Sequence, residues 1–301
     1  MLRAIRRNKA AYLFILPALL LMLLIVFVPL LQGIYYSFTN MDQYNMGNKF
    51  VKASYEWIGL ANYKRVLAGE GLAEFLGVLK QTMIWTFTNV FFHFILGFGL
   101  ALLLNRHIKG RGLYRMLLLI PWAVPSFISA FAWRWMFNGE FGFINMVLRK
   151  MGFEGVAWLS DPVWAMTAVI ITNVWLGFPF MMVTFLGGLQ SIPRDLYEAA
   201  YVDGASRFQQ FLHITLPQMK STIFTATLLG VIWTFNLFAV IYLITEGGPY
   251  NSTQILVTFA YVKAFNNWQL AEATTYGVII LSLLIAFSFF YSRVLKMTEE
   301  K

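Results

Sequence analysis

Long apolar stretches separated by short polar segments dominate this sequence. Each stretch is long enough for an α-helix to cross a hydrocarbon core about 30 Å thick, which takes roughly 20 residues. Six stretches are therefore predicted to be membrane-spanning helices: Ala11 to Leu31, Gln81 to Leu104, Leu113 to Phe137, Val163 to Leu189, Ser221 to Ile244, and Thr274 to Val294. The predicted fold class is an all-α membrane protein with six transmembrane helices.

Composition strengthens this prediction and removes several classes of function. The 301 residues are 59% apolar and 12% charged, whereas soluble domains average about 25% charged residues. With no cysteine, the chain has no disulfide, thiol nucleophile or thiolate metal site. The net charge of +9 resembles that of nucleic-acid-binding proteins, but the basic residues cluster beside the apolar stretches. We therefore expect membrane lipid, and no nucleic acid, as a partner.

The distribution of Lys and Arg predicts the orientation. With the N-terminus inside the cell, the inner segments hold more than half of the 23 basic residues, which predicts that both termini are cytoplasmic. The sequence after Leu31 has no small-residue cleavage site, so the first span is predicted to be a retained anchor. No loop is long enough for a separate soluble domain, and residues 1–301 are predicted to form a single transmembrane domain. The inner basic residues are Arg3, Arg6, Arg7, Lys9, Arg106, Lys109, Arg111, Arg115, Arg194, Arg207, Lys220, Arg293, Lys296 and Lys301.

The chain lacks the residues that covalent or energy-converting chemistry needs. Lys220-Ser221-Thr222 has no upstream glycine at the spacing of a phosphate-binding loop, so any ATP hydrolysis must occur in another chain. His93, His107 and His213 lack the spacing of a metal site, and each is expected to be structural. We expect no catalytic residue, no metal and no cofactor in this chain.

An inner loop, about residues 190–220, is predicted to form a helix, a turn and a second helix. Pro193 suits a first helical turn, Gly204 suits a left-handed position after a helix end, and Pro217 is expected to be the next stop. The first helix carries an apolar stripe too short to span a membrane, with Leu196 four residues before Ala200. Such a stripe needs a partner surface, and the alternative is a helix lying on the membrane surface or against its own bundle.

The same loop carries the residues of a family signature. Glu198-Ala199-Ala200, then Gly204, Ile214 and Leu216-Pro217 at fixed spacing, resemble the EAA motif of permease subunits in bacterial ABC importers. Other segments are similar to the sugar-permease branch, specifically the maltose-type and glycerol-phosphate-type first membrane subunit. These segments are Trp57 to Tyr63, Ala157 to Pro162, Trp175 to Phe180 and Thr245 to Pro249.

The resemblance implies a fold, partners and a docking site. It implies the type I importer permease fold, in which the EAA segment is a cytoplasmic coupling helix that docks on an ATPase subunit. It assigns this docking to Glu198, Ala199, Ala200 and Gly204. It also implies a second permease subunit, two ATPase subunits that bind ATP and Mg, an extracytoplasmic solute-binding protein and a sugar substrate.

Two helix faces are candidates for the substrate path. Gly177 and Pro179 are expected to interrupt the fourth span, and interrupted helices often line midplane sites in transporters. The faces consist of Asn173, Leu176, Gly177 and Phe180 in the fourth span, and Gly230, Trp233, Thr234 and Leu237 in the fifth. The sugar-contacting segments of the maltose-type permease resemble both faces, although that permease has amide side chains at the positions of Thr234 and Leu237. The alternative is ordinary helix packing.

Pro121 and Pro125 are candidates for a kink in the third span. A kink there would shape a gate, and helix packing alone is the alternative reason for the two prolines.

The sequence thus predicts a membrane-spanning permease subunit of an ATP-driven, binding-protein-dependent sugar importer in the bacterial cell membrane, working by alternating access. A self-contained ion-coupled carrier or channel is the alternative, but it would need polar or charged groups within the spans for its coupling ion. A membrane-embedded enzyme would need a clustered catalytic constellation at the membrane face. The sequence shows few polar or charged groups within the spans and no clustered catalytic constellation.

Overall fold

The computed structural model describes residues 9–299 and shows helices connected by loops and turns. Arg3, Arg6, Arg7 and Lys301, which entered the orientation argument, lie outside the described residues. Short π-helical turns at Leu23–Phe27, Phe211–Thr215 and Val262–Asn266 join some of the helices. The α-helices are α1 (Lys9–Met22), α2 (Val28–Tyr36), α3 (Ala61–Ala68), α4 (Leu72–Leu104), α5 (Arg111–Ala123), α6 (Ser126–Met136), α7 (Phe143–Lys150), α8 (Pro162–Ser191), α9 (Arg194–Val202), α10 (Arg207–Gln210), α11 (Leu216–Phe235), α12 (Phe238–Thr245), α13 (Leu256–Tyr261) and α14 (Leu270–Glu299).

Five of the six predicted spans correspond to helical segments long and apolar enough to cross a membrane. The helix at the second span begins at Leu72, before the predicted start at Gln81. It continues through Glu74 and Lys80, whose charges interrupt the apolar pattern. The predicted all-α membrane fold is confirmed. The five segments are Tyr12–Tyr36, Leu72–Leu104, Pro162–Ser191, Arg207–Thr245 and Leu270–Val294.

The prediction of one continuous third span over Leu113 to Phe137 is wrong. Helices α5 and α6 meet there at 90°. Val124 is extended, with φ −82° and ψ 130°, because the proline that follows disfavours helical backbone at the preceding residue. Pro125 then begins α6 from the N-cap position. The expected kink exists, but it is a right-angled break.

The prediction that Pro217 stops the second helix of the inner loop is also wrong. The chain stays helical through Pro217, which lies in the first turn of α11. The preceding π-helical turn, in which the Leu216 amide donates to the Phe211 carbonyl, widens the backbone where a proline has no N–H and its ring needs space. A second π-helical turn, Leu23–Phe27, precedes Pro29 in the same way.

The fourth span is uninterrupted, contrary to the prediction from Gly177 and Pro179. Helix α8 runs without a break from Pro162 to Ser191, with Pro179 inside it and buried. A proline within a helix is tolerated where neighbouring elements hold the helix on several sides. Helix α8 is in that position, because it packs against α5, α6, α11 and α12.

The described residues fall into two compact units, and the single domain expected for residues 1–301 stays a prediction. One unit comprises the described residues up to Phe75 together with Ala260–Ser282. In this unit the buried Asn62 side chain donates to the carbonyls of Ser37 (3.0 Å) and Thr39 (2.8 Å) and so holds the end of α2 against α3. Lys263 forms ion pairs with Glu74 and Glu272.

The other unit comprises Leu76–Phe259 and the described residues from Leu283 onward. Its largest buried cluster joins α4, α8 and α11 through Phe98, Phe185 and Met219. Gly97 allows α4 to approach α8 closely, since a Cβ there would collide with Met181. Small residues at such crossings are typical of helix packing in membranes.

Candidate functional site

A cavity of about 380 Å³ lies among the spans of the second unit. All eight residues predicted for the substrate path line it, namely Asn173, Leu176, Gly177, Phe180, Gly230, Trp233, Thr234 and Leu237. The volume falls in the range of small-molecule pockets. The structure thus brings the two predicted faces together around one space; their contact with substrate stays a prediction. The remaining lining residues are His93, Pro121, Trp122, Ala123, Val124, Pro125, Ser126 and Met181.

The cavity lies where helices are interrupted, although not at the interruption that was predicted. Val124 and Pro125 at the α5–α6 break line it. Leu237 also lines it and is extended, with φ −77° and ψ 93°, between α11 and α12. Breaks free backbone groups from helical hydrogen bonding, and such groups are tolerated at membrane depth where they face a cavity. The expected relation between broken helices and a cavity therefore holds, with α8 supplying a continuous wall.

Asn173, Gly177 and His93 form one wall of the cavity. His93 donates from Nε2 to the carbonyl oxygen of Asn173 at 2.9 Å. Its imidazole lies over Gly177, where a Cβ would collide with the ring. The Asn173 side-chain nitrogen Nδ2 is buried without a hydrogen-bond partner. A buried amide donor without a partner has a high free-energy cost, and a substrate hydroxyl in the cavity is a suitable acceptor.

Aromatic side chains and a hydrogen bond fix another part of the wall. The rings of Phe180 and Trp233 meet edge to face, with centroids 4.8 Å apart, and Trp122 lies 6.5 Å from Phe180. Trp85 donates from its indole nitrogen to the carbonyl of Thr234 at 2.8 Å, which ties α4 to α11 just before the α11–α12 break. The wall combines aromatic faces with few hydrogen-bonding groups.

One polar stripe in α4 was missed in the sequence. Thr82, Thr86, Asn89 and His93 are all buried and lie on one helical face by their spacing of three and four residues. Thr86 Oγ1 and Asn89 Oδ1 have no hydrogen-bond partner. His93 was expected to be structural because each histidine was considered by itself. The signal in the sequence is the helical spacing of these polar residues within an apolar helix, which indicates a shared polar face.

The predicted docking segment is a short helix that ends in a tight turn. Helix α9 contains Glu198, Ala199 and Ala200, and Gly204 follows it with φ +80°. The amide of Gly204 donates to the carbonyl of Tyr201, and that of Ala205 donates to the carbonyl of Ala200. This pair of bonds is the Schellman arrangement, which requires a left-handed residue best supplied by glycine.

A second helix follows this turn directly. Ser206 caps α10 through a reciprocal pair of bonds with Gln209. The helix–turn–helix interpretation of this segment therefore agrees with the structure.

Helix α9 presents most of its surface to the surroundings. None of its residues is buried, and Tyr201 and Val202 are 78% and 84% exposed. Tyr197 Oη lies 2.9 Å from Thr215 Oγ1, a hydrogen bond that connects α9 to the π-helical turn below α11. Pro193 lies at the N-cap, one residue before the first turn in which it was expected.

The fold and these two sites define a class of protein. A polytopic helical membrane protein with a cavity at broken helices, and a short exposed helix connected to one of those helices, has the architecture of the translocation subunit of a transporter. The chain belongs to the family described as "Binding-protein-dependent transport system inner membrane component", whose model matches residues 93–299. It is therefore a transport permease component and a multi-pass membrane protein.

Relatives over nearly the whole chain have descriptions of the same kind. The trehalose/maltose transport system permease protein MalF of Thermococcus litoralis is 37% identical over 292 residues, which cover 96% of this chain and 94% of that protein. The maltodextrin transport system permease protein MdxF of Bacillus subtilis is 37% identical over 266 residues, covering 83% of this chain and 60% of that protein.

Solved structures agree with the fold. A chain from a bacterial ABC transporter involved in the import of the acidic polysaccharide alginate matches with a TM-score of 0.84, at 22% identity, over 98% of both chains. The MetNI methionine ABC transporter matches with a TM-score of 0.55, at 19% identity, over 74% of this chain and 94% of that chain. The chain therefore has the fold of an ABC importer permease.

Proposed function

We propose that this chain is one of two membrane-spanning subunits of an ATP-driven importer for a neutral oligosaccharide of the maltose or trehalose class, working by alternating access. The observation that carries the proposal is the cavity at the two helix breaks, with all eight predicted path residues in its wall. Trehalose, maltose and maltodextrin appear in the descriptions of the relatives that match most of the chain.

The cavity favours a neutral sugar over an acidic one. His93 is the single titratable side chain among its lining residues, all of which lie in the described part of the chain. Uronate carboxylates, such as those of alginate, would enter without a basic partner, and an unpaired buried charge is costly. Aromatic faces such as Trp233 and a donor such as Asn173 Nδ2 suit the C–H faces and hydroxyls of a neutral sugar.

The proposed assembly contains four further kinds of component. A solute-binding protein delivers the sugar outside, a second permease subunit completes the path, and two ATPase subunits bind ATP and Mg and drive the cycle. One of the solved transporters similar to this chain was determined with a sugar-bound periplasmic protein. This chain itself performs no covalent chemistry.

Helix α9 is the proposed point of contact with the ATPase. Its apolar residues Tyr201 and Val202 are exposed, and a small exposed apolar surface flanked by polar residues is typical of an interaction site. The hydrogen bond between Tyr197 and Thr215 connects α9 to the start of the helix that carries Trp233 and Thr234. A rigid-body movement of α9 would therefore be transmitted to the cavity wall.

The orientation proposed with this function places α9 and both termini in the cytoplasm. The excess of Lys and Arg on that side supports it. Protease accessibility of tags at each terminus in sealed right-side-out vesicles tests it, and cleavage of either tag without permeabilisation would contradict it.

Co-purification tests the assembly. The tagged chain, solubilised in mild detergent, should retain a second permease and an ATPase, and Glu198→Lys should release the ATPase because it reverses the charge of an exposed α9 residue. Glu154→Lys is the matched control, since Glu154 is exposed in a loop outside α9. A lone chain that transports without ATP would overturn the proposal in favour of the carrier.

A further inference from the structure

A second cavity, of about 470 Å³, lies at the opposite end of α5 from the helix break. Three segments of the second unit supply its walls: the turn after α4, the first turns of α5, and the junction of α8 with α9. Its position beside the ends of helices that span the membrane is that of a membrane–water boundary. The lining residues are Asn105, His107, Arg111, Arg115, Leu189, Gln190, Ile192, Arg194 and Tyr197.

The lining of this cavity is strongly basic. Arg111, Arg115 and Arg194 come from two different helices and share it with His107, while none of the lining residues is an Asp or a Glu. Among the described residues, none of these arginines takes part in an ion pair. Cations gathered without counter-charges repel each other, so the arrangement favours an anion in the cavity.

Arg115 adds a more specific observation. Its Nε and Nη2 atoms are buried and have no hydrogen-bond partner. A guanidinium offers its donors as a planar fork, which matches the oxygens of phosphate and carboxylate groups. Buried polar atoms in native proteins are nearly always paired, so these two nitrogens point to an acceptor that binds here.

The other two arginines lie at the N-termini of helices. Arg111 is the first residue of α5 and Arg194 the first of α9, and neither helix has a side-chain cap. The N-terminus of a helix carries a partial positive charge that disfavours cations. Asp195 supplies a negative charge in the first turn of α9, whereas the first turn of α5 has no acidic residue. An anion beside Arg111 would therefore pair with the free amide groups at the start of α5.

We propose that this cavity binds the phosphate group of an anionic ligand, through Arg111, Arg115 and Arg194, and that the phosphate of an anionic membrane lipid is its source. Basic pockets at the ends of membrane helices bind such headgroups. Free phosphate offers the same chemistry and is the other source. The site is separate from the sugar path, and it does not depend on the proposed orientation because both leaflets hold phosphate groups at this depth.

The surface next to the cavity supports the lipid as the source. Along α5, directly after Arg111, the side chains of Leu113, Met116, Leu117 and Ile120 are all about half exposed, between 47% and 59%. Helical spacing places this strip on the opposite face of α5 from Arg111 and Arg115. The strip therefore indicates that α5 runs along the hydrocarbon core and that its first turn lies at headgroup depth. Lipid phosphates are therefore present at the depth of the arginines.

Native mass spectrometry of the detergent-purified complex tests the proposal. The complex, stripped of lipid, is titrated with phosphatidylglycerol or with zwitterionic phosphatidylcholine. The test variant is Arg111→Gln/Arg115→Gln. The matched control is Arg106→Gln/Lys109→Gln, which removes two charges from the connection between α4 and α5, outside the cavity lining. Arg194→Gln reaches the same cavity from α9 and serves as the independent variant if the double variant does not accumulate.

Wild type and control should bind phosphatidylglycerol in preference to phosphatidylcholine. The test variant should bind phosphatidylglycerol roughly tenfold more weakly, since each basic residue contributes to anionic-lipid affinity. Equal losses in test and control variants would reduce the effect to general surface charge and overturn the site. No loss in either variant would also overturn it.

Two further measurements distinguish a lipid phosphate from the other possible occupants of the cavity. If inorganic phosphate, compared with chloride at equal ionic strength, stabilises wild type but not the test variant while phosphatidylglycerol does not bind, free phosphate is the occupant and the phosphate site stands. If lipid and phosphate binding are unchanged while the ATPase no longer co-purifies with the test variant, the arginines bind a carboxylate of the ATPase and the proposal fails.

Discussion

Tyr197 Oη lies 2.9 Å from Thr215 Oγ1, so a single hydrogen bond joins the exposed helix α9 to the π-helical turn that leads into α11. Because α11 carries Gly230, Trp233 and Thr234, this bond connects the proposed ATPase contact with the proposed sugar path. Tyr197 also packs against the largest buried cluster of the second unit.

We predict that Tyr197→Phe uncouples ATP hydrolysis from transport. The substitution removes one hydrogen bond, worth about 1 kcal/mol, without changing the shape of the ring. The ATPase should still co-purify and hydrolyse ATP, while sugar uptake per ATP falls severalfold in proteoliposomes. Tyr114→Phe is the control, because Tyr114 lies outside α9 and its ring is 51% exposed. The same uptake per ATP in the two variants would contradict a role of the Tyr197 hydrogen bond in coupling.

The sequence predicts the spans well because apolar runs report directly on membrane burial. It predicts the path of the backbone at prolines poorly. Pro125 marks a right-angled break, whereas Pro179 lies within an unbroken helix. The difference comes from the elements packed around α8, which are distant in sequence. The break at Leu237 has no glycine or proline to mark it.

The two helix faces predicted for the sugar path were accessible to sequence reasoning because helical spacing places their residues together. The position of His93 in the cavity wall could not be predicted in this way, since its contact with Asn173 joins residues 80 positions apart. Arg111 and Arg115 were interpreted through the charge asymmetry of the loops alone. Their shared cavity with Arg194 depends on the α8–α9 junction, which no local pattern reveals.

Gly177→Ala should abolish or strongly reduce sugar uptake. The new Cβ would collide with the His93 imidazole and displace it from the cavity wall. Gly187→Ala in the same helix meets no atom within 4 Å and should transport normally. The double variant Gly177→Ala/His93→Ala should recover part of the uptake, since contacting residues show non-additive effects. An unchanged loss in the double variant would argue against the clash.

Asn173→Leu should raise the sugar concentration needed for half-maximal uptake by roughly tenfold, the equivalent of one hydrogen bond of about 1.4 kcal/mol. The substitution replaces the unpaired amide Nδ2 by an apolar group of similar size. Asn236→Leu is the control, because that amide is outside the cavity lining and donates to the carbonyl of Ile232. A shift of the same size in both variants would contradict a direct contact of Asn173 with sugar.

Gly204→Ala should weaken retention of the ATPase. The residue has φ +80°, a conformation that costs a residue with a side chain about 1 to 2 kcal/mol, so the turn after α9 would open. Gly112→Ala is the control, since its backbone is in the ordinary region and a Cβ there meets open space. Co-purification yield of the ATPase, at equal permease recovery, measures the effect; the same yield from both variants would contradict it.

Lys263→Met should lower the thermal stability of the purified complex through the unit that holds Glu74 and Glu272. Lys263 Nζ lies 2.9 Å from Glu272 and 3.3 Å from Glu74. Burial disfavours its charge, but the hydrogen bond and attraction of Glu272, and then of Glu74, outweigh it and raise the pKa of Lys263 above its ordinary value. Loss of this partly exposed cluster should cost about 1 to 3 kcal/mol.

The pH dependence of that loss has a definite sign. A raised lysine pKa stabilises the folded state fully below the unfolded-state pKa, and the contribution disappears as the pH rises through the folded-state pKa. The stability difference between wild type and Lys263→Met should be constant near neutral pH and shrink above pH 10.5, the ordinary lysine value. Lys64→Met, at an exposed position, should show little change at any pH. A difference that grows above pH 10.5 would contradict the ion-pair account.

Sugar uptake by proteoliposomes tests the proposed ATP-driven import of a neutral sugar. The complex that co-purifies with the tagged chain is reconstituted with ATP on the α9 side and with a solute-binding protein from the same cell on the other. Labelled maltose, trehalose, maltodextrin and an alginate oligosaccharide are then compared. We expect ATP-dependent uptake of a neutral glucose-based sugar, lost in Gly177→Ala and kept in Gly187→Ala. Uptake without ATP, or uptake of the acidic sugar alone, would contradict it.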